Sequence, residues 1–166
     1  MSKAFTREDD VPEPSRPMPV SLLPPGVRNL ITREGRDRLQ AELNRLRDER
    51  PVLVEGSLTD TELRGELAQL DQRITSLERS LAAAEVVPPA GPDNQQVRFG
   101  STVTVRDTRG EESTYRIVGV DETDPERNEI SWRSPIATAL LNARQGQRVP
   151  FKFPSGATEL EIVAIR

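Results

Sequence analysis

The stretch Thr59-Asp60-Thr61-Glu62-Leu63-Arg64-Gly65-Glu66-Leu67-Ala68-Gln69-Leu70-Asp71-Gln72-Arg73-Ile74-Thr75-Ser76-Leu77-Glu78-Arg79-Ser80-Leu81 decides the fold. Leu63, Leu67, Leu70, Ile74, Leu77 and Leu81, followed by Ala84, alternate at spacings of four and three. Such a heptad seam marks an α-helix that buries one stripe against another helix. Thr59 with Glu62 three residues later matches a capping box, which predicts the helix start. Just upstream, Leu39, Leu43, Leu46 and Leu53 recur at four, three and seven, with Arg50 at the missing seam position. Thr32 is positioned to cap that first helix from Arg33. Pro51 is predicted to kink the helix or end its regular part. The connection Gly56-Ser57-Leu58 is short, and short connections make antiparallel neighbours. The expectation is a hairpin of two helices, about 23 and 25 residues and each about 35 Å long, meeting near residues 54 to 59. The competing reading is one long helix through Gly56 in an intermolecular coil. Pro51, Gly56 and the capping pattern favour the hairpin, which buries its seam in one chain and implies a monomer.

Outward from the hairpin, residues 1–30 hold six prolines between Pro12 and Pro25 and are expected to form a disordered Pro-rich tail. The hairpin is placed at 31–85 and a Pro-stiffened linker at 86–95. Residues 96–166 read as a compact α+β domain. Its strands are expected at 97–105, 115–120, 130–132, 149–153 and 160–165, with Pro150 pointing to an edge strand. A short helix is expected after Ser134, an N-cap residue followed by Pro135 at the first helical position. The predicted fold class is therefore α+β, an antiparallel two-helix coiled coil followed by a β-sheet domain with one short helix.

Composition narrows the chemistry. The 166-residue chain has no Cys and no His, which excludes disulfides, a Cys nucleophile, a Ser-His triad and a Cys/His zinc site. There is no apolar leader and no run of about 20 apolar residues, so a soluble cytoplasmic protein with no membrane partner is expected. No activated-nucleophile motif or phosphate-binding glycine loop is visible, and no catalytic residue is assigned. The net charge of −4 argues against a free nucleic-acid binder. The charge is polarised. Residues 48–66 carry six acids against two arginines, whereas 127–152 carry Arg127, Arg133, Arg144, Arg148 and Lys152 against Glu129.

Several motifs, in order, resemble one family. Ile31-Thr32-Arg33-Glu34-Gly35, Phe99-Gly100-Ser101-Thr102-Val103, Tyr115-Arg116-Ile117-Val118-Gly119-Val120-Asp121-Glu122 and Ile130-Ser131-Trp132-Arg133-Ser134-Pro135-Ile136-Ala137 are similar to the GreA/GreB transcription factors. The C-terminal motifs also fit shorter Rnk-like relatives and Gre-like inhibitors. The resemblance covers about residues 30–166. It implies an FKBP-like C-terminal domain that docks at the rim of the RNA polymerase secondary channel through Trp132, Arg133, Ser134 and Pro135. It also implies a coiled coil reaching inward, with nucleic acid met only inside the polymerase complex. In cleavage factors of this family, acidic tip residues help hold a second magnesium at the polymerase active site. The corresponding tip acids here are Glu55, Asp60 and Glu62, with Asp60 and Glu62 the candidates to share the polymerase magnesium; no resident cofactor is expected.

The tip departs from the family pattern. Ser57 stands where a tip Asp is expected, Thr61 replaces an Asn, and about a dozen residues are missing relative to the GreB pattern. Six residues per helix shorten the reach by about 9 Å. The expected function is thus a polymerase-binding elongation regulator with weak or no stimulation of transcript cleavage. The alternatives are an active cleavage factor using the tip acids, and an Rnk-like regulator of another partner.

Overall fold

A computed structural model describes residues 23, 24, 26–57, 59–91 and 95–166. A short strand, β1 (Asn29–Ile31), leads into helix α1 (Arg33–Ser57), which returns as helix α2 (Thr61–Ala83) and runs directly into strand β2 (Ala84–Val86). The chain then builds β3 (Thr102–Arg106), β4 (Glu112–Val118), β5 (Glu129–Ser131), helix α3 (Pro135–Leu140), β6 (Arg148–Phe153) and β7 (Gly156–Ile165).

The heptad seam folds α1 and α2 into the antiparallel hairpin. Leu39, Leu43 and Leu46 of α1 pack with Leu70, Ile74 and Leu77 of α2, all buried, with Leu53 and Leu81 half-buried at the margins. Burying each such side chain stabilises by about 1.5–3 kcal/mol, so this stripe is what holds the helices together. Leu63 and Leu67 are only half-buried, so the seam thins toward the tip. Arg50 does not enter the seam; it is exposed and grips Asp71 of α2 through Nε at 2.6 Å and Nη2 at 3.1 Å. Arg73 with Glu42 (2.8 Å) and Arg47 with Glu78 (2.7 Å) bridge the helices in the same way. Pairs that are exposed, as Arg50–Asp71 and Arg47–Glu78 largely are, contribute about 0–1 kcal/mol each, so they fix register more than stability.

Two expectations about helix ends are corrected. Pro51 does not end α1, which continues six residues further, to Ser57. Pro51 is exposed, on the face of α1 away from the seam, so the helix held by its buried leucines runs on past it. The cap of α2 is Asp60, not Thr59: its side chain accepts from the Glu62 amide at 2.8 Å, while Thr59 Oγ1 lies 3.5 Å from the Gly56 carbonyl. The tail expected through residue 30 lies outside the described residues over 1–22. Its last two residues, Asn29 and Leu30, belong to β1, which pairs in parallel with β2 and ties the chain entering the hairpin to the chain leaving it.

The second layer is a five-stranded sheet in the order β5-β4-β3-β7-β6. All pairs are antiparallel except β4 with β5. Pro150 does lie on an edge strand, β6. The strand expected from residue 97 begins only at Thr102. Val97 is fully buried and exchanges backbone hydrogen bonds with Ala143 and Asn142 at 2.8 Å, next to the short helix. Ala137 and Leu140 of α3 pack onto Val103, Val105, Ile117, Val149, Leu160 and Ile162 of the sheet, forming a core separate from the helical seam.

Candidate functional site

At the hairpin tip the residues nearest the turn are engaged in closing it. Ser57, the last residue of α1, is buried and donates its hydroxyl to the Val54 carbonyl at 2.9 Å. Arg64 of α2 donates from Nε to the Ser57 carbonyl at 2.9 Å, placing a cation on the negative end of the α1 dipole. A Cβ at Gly56 would lie 2.6 Å from Leu63 Cδ1, so a side chain at position 56 would have to push the Leu63 methyl aside. All three tip acids are exposed, and Asp60 caps α2 through Oδ1 alone, which accepts from the Glu62 amide. No group of three or more acidic or other metal-ligating residues gathers among the described residues.

The segment Trp132–Pro135 connects β5 to α3. Trp132 is half-buried against the sheet core rather than fully exposed, and its amide donates to the Val118 carbonyl at 2.9 Å. Its indole Nε1 is buried with no acceptor among the described residues. Ser134 Oγ accepts from the Ala137 amide at 3.2 Å, and Pro135 occupies the first turn, as its fixed φ favours. Arg133 stands exposed, and its guanidinium has no ion-pair partner among the described residues. The loop thus offers a cation unpaired among the described residues on a corner held rigid by an indole and a capped helix.

A third feature was not anticipated from the sequence. Where hairpin and sheet domain meet, polar groups are buried alongside the apolar Ile31 and Val118. Glu122 is 5% exposed and accepts from the Thr32 amide (2.9 Å), the Thr32 hydroxyl and the Gly119 amide (2.7 Å). Thr32 in turn caps α1 by accepting from the Gly35 amide at 2.9 Å. In a capping box the carboxylate at the third helical position satisfies the amide of the cap. Here that position is Gly35, and the carboxylate comes from Glu122, 90 residues along the chain. A Cβ on Gly35 would fall 2.5 Å from Glu122 Cγ and closer still to Cδ and Oε1.

Around this lock sit further cross-domain bonds. Arg38 of α1 reaches buried Glu129 at 2.9 Å, and Arg116 spans Glu34 (2.7 Å) and Glu129 (3.6 Å). Ser80 of α2 donates its hydroxyl to Asp121, and within the hairpin Asn29 braces Ser80 by donating to its carbonyl at 3.1 Å. Glu34 titrates below the usual carboxylate range, held there first by a backbone amide and then by Arg116. The only local hint was a glycine in the first turn of α1, which helix propensity does not favour.

Residues 92–166 match the family described as "Transcription elongation factor, GreA/GreB, C-term". The transcription elongation factor GreA of Syntrophobacter fumaroxidans is 35% identical over 151 residues, covering 82% of this chain and 96% of that protein. The transcription elongation factor GreB of Neisseria meningitidis serogroup B is 37% identical over 153 residues, covering 84% of this chain and 94% of its own. The solved structure of the GreA factor homolog 1 protein of Thermus thermophilus covers 84% of this chain and 99% of its own at 26% identity, with a TM-score of 0.40.

Proposed function

Because the chain belongs to the GreA/GreB family of transcription elongation factors, we propose that it binds RNA polymerase and regulates elongation with weak or absent stimulation of transcript cleavage. The sheet domain docks at the rim of the secondary channel through Trp132, Arg133, Ser134 and Pro135, and the hairpin points inward. The protein carries no catalytic residue of its own, acts as a monomer in the cytoplasm, and meets nucleic acid only inside the polymerase complex.

The observation that carries the weak-cleavage reading is Ser57. It stands where cleavage factors of the family carry a tip Asp, and its hydroxyl is buried and bonded to Val54. A neutral hydroxyl is a poor magnesium ligand beside a carboxylate, and this one faces inward. One carboxylate oxygen of Asp60 accepts from the Glu62 amide at the start of α2. The shortened hairpin adds a deficit of about 9 Å in reach, and misplacement of even about 1 Å can cost on the order of a hundredfold. The exposed carboxylates of Glu55 and Glu62 favour the second reading, a cleavage factor in which Glu62 and Asp60 share the polymerase magnesium. An Rnk-like regulator of another partner is the third.

Transcript shortening in a backtracked polymerase complex separates them. The proposal expects little or no shortening by this protein and inhibition of a GreB control added with it. Shortening at rates like GreB, abolished by Asp60→Ala, establishes the second reading. Failure to bind polymerase at all favours the third.

A further inference from the structure

Residues 31–35, which lead into α1, meet residues 118–122, which leave β4, at the root of the hairpin. One carboxylate oxygen is shared between the two. Glu122 Oε2 accepts from the Gly119 amide of the sheet domain at 2.7 Å and from the Thr32 amide of the hairpin at 2.9 Å, while Oε1 accepts from the Thr32 hydroxyl. Two carboxylate oxygens on one residue fix a direction as well as a distance. The fit leaves no slack. A Cβ on Gly119 would overlap the Leu30 carbonyl oxygen and lie 2.6 Å from Glu122 Oε2, and one on Gly35 would overlap the carboxylate itself. Further bonds act at other points of the same junction: Arg38 to Glu129 at 2.9 Å, Arg116 to Glu34 at 2.7 Å, and Ser80 of α2 to Asp121. Thr32 and Arg38 lie along α1 and Ser80 lies on α2, so the contacts are not collinear, and three such points fix the orientation of a rigid body. The partners of Glu122 are the least able to give way. Two of them are backbone amides, whereas Arg38 and Arg116 are long side chains, 35% and 30% exposed, that can follow a moving acceptor.

We propose that Glu122 is a positioning residue: it sets the angle between the hairpin and the sheet domain and so aims the tip. Domains joined within one chain move relative to each other unless their interface constrains them, and directional bonds to a buried carboxylate supply such a constraint. The angle matters because the hairpin is a long lever. Helix α1 has 25 residues and extends about 38 Å from this root, so a tilt of about 10° would carry the tip about 7 Å. The consequence for function rests on the reading that the tip enters the polymerase secondary channel while the sheet domain stays at its rim. The orientation itself does not depend on that reading and is measured on the free protein.

The chain has no cysteine, so Gln69→Cys on α2 and Ser113→Cys on β4, both exposed, supply a unique pair of spin labels in the full-length protein. The pair is expected to give one narrow interlabel distance when Glu122 is present. Glu122→Ala is expected to broaden or shift that distance while the amides of the helical seam and of the sheet core remain protected from exchange. Glu122→Asp keeps the charge but withdraws it by one methylene, and is expected to do the same. In the backtracked polymerase complex, Glu122→Ala is expected to keep polymerase binding through the Trp132–Pro135 loop and to lose the inhibition of a GreB control. The proposal is overturned if both variants keep the narrow distance, or if the distance is already broad with Glu122 in place. Global unfolding of both variants also overturns it, because the residue then maintains the fold rather than an angle. A broadened distance with undiminished inhibition of GreB overturns the link between the angle and the aim of the tip. Failure of the protein with Glu122 in place to bind polymerase refutes the functional reading instead, and the distances still decide whether Glu122 sets the angle.

Discussion

Replacing Gly35 with alanine sets two physical effects of opposite sign against each other. In an isolated helix the change removes backbone entropy from the unfolded chain and stabilises by about 0.5–1 kcal/mol. In the folded protein the new methyl group occupies the position of the Glu122 carboxylate, with Cγ only 2.5 Å away. Glu122 is buried and holds the Thr32 amide, the Thr32 hydroxyl and the Gly119 amide. It cannot retreat without releasing at least one of them. A hydrogen bond to a charged group contributes about 1.5–3 kcal/mol, so losing one outweighs the helix gain by about 0.5–2.5 kcal/mol and losing two by about 2–5.5 kcal/mol. Denaturant unfolding of the full chain measures the sum, and amide exchange at Thr32 and Gly119 locates it. In a Glu122→Ala background the clash disappears, and Gly35→Ala becomes neutral or stabilising, giving a coupling of about 2 kcal/mol or more. If Gly35→Ala stabilises the otherwise unaltered protein while the Thr32 amide stays protected, Glu122 has found another way to cap α1 and the lock described here does not contribute the stability assigned to it.

Three other perturbations separate structural from functional roles. Arg133→Ala is expected to weaken polymerase binding with nearly unchanged melting temperature, because the side chain is exposed and unpaired among the described residues; equal binding at low protein concentration would remove the loop from the interface. Asp60→Ala deletes the α2 cap and is expected to cost about 1 kcal/mol by denaturant unfolding, even without polymerase; no loss would return Asp60 to a purely functional role. Acidification is expected to destabilise the protein. Glu34 and Glu85 lie below the ordinary value of 4.5, and Asp71 and Asp107 below 3.8, so each contributes stability above those values that is lost as pH falls through its lowered folded value. Carboxyl titration by NMR checks this, and folded values at or above the ordinary ones would contradict it.

The helical hairpin was legible because its signal is local and periodic. A seam recurring every 3.5 residues, interrupted near Gly56, admits few packings, and Leu43 and Leu77 lie where the spacing puts them. The capped start of α3 and the edge position of β6 were readable for the same reason, since Ser134, Pro135 and Pro150 act through their own backbone. Local signals failed where neighbours competed. Thr59 and Asp60 are both capping residues, and only the turn geometry selected Asp60. An exposed proline in α1 did not stop a helix held by its buried face. The residues that join the two domains were decided by tertiary structure alone. Nothing near Glu122 in the chain announces that its carboxylate will cap a helix 90 residues away. Nothing near Gly35 tells that its missing side chain makes room for it. Periodicity reports which face of an element is apolar, whereas the partner of a single buried charge depends on how separate elements are brought together in space.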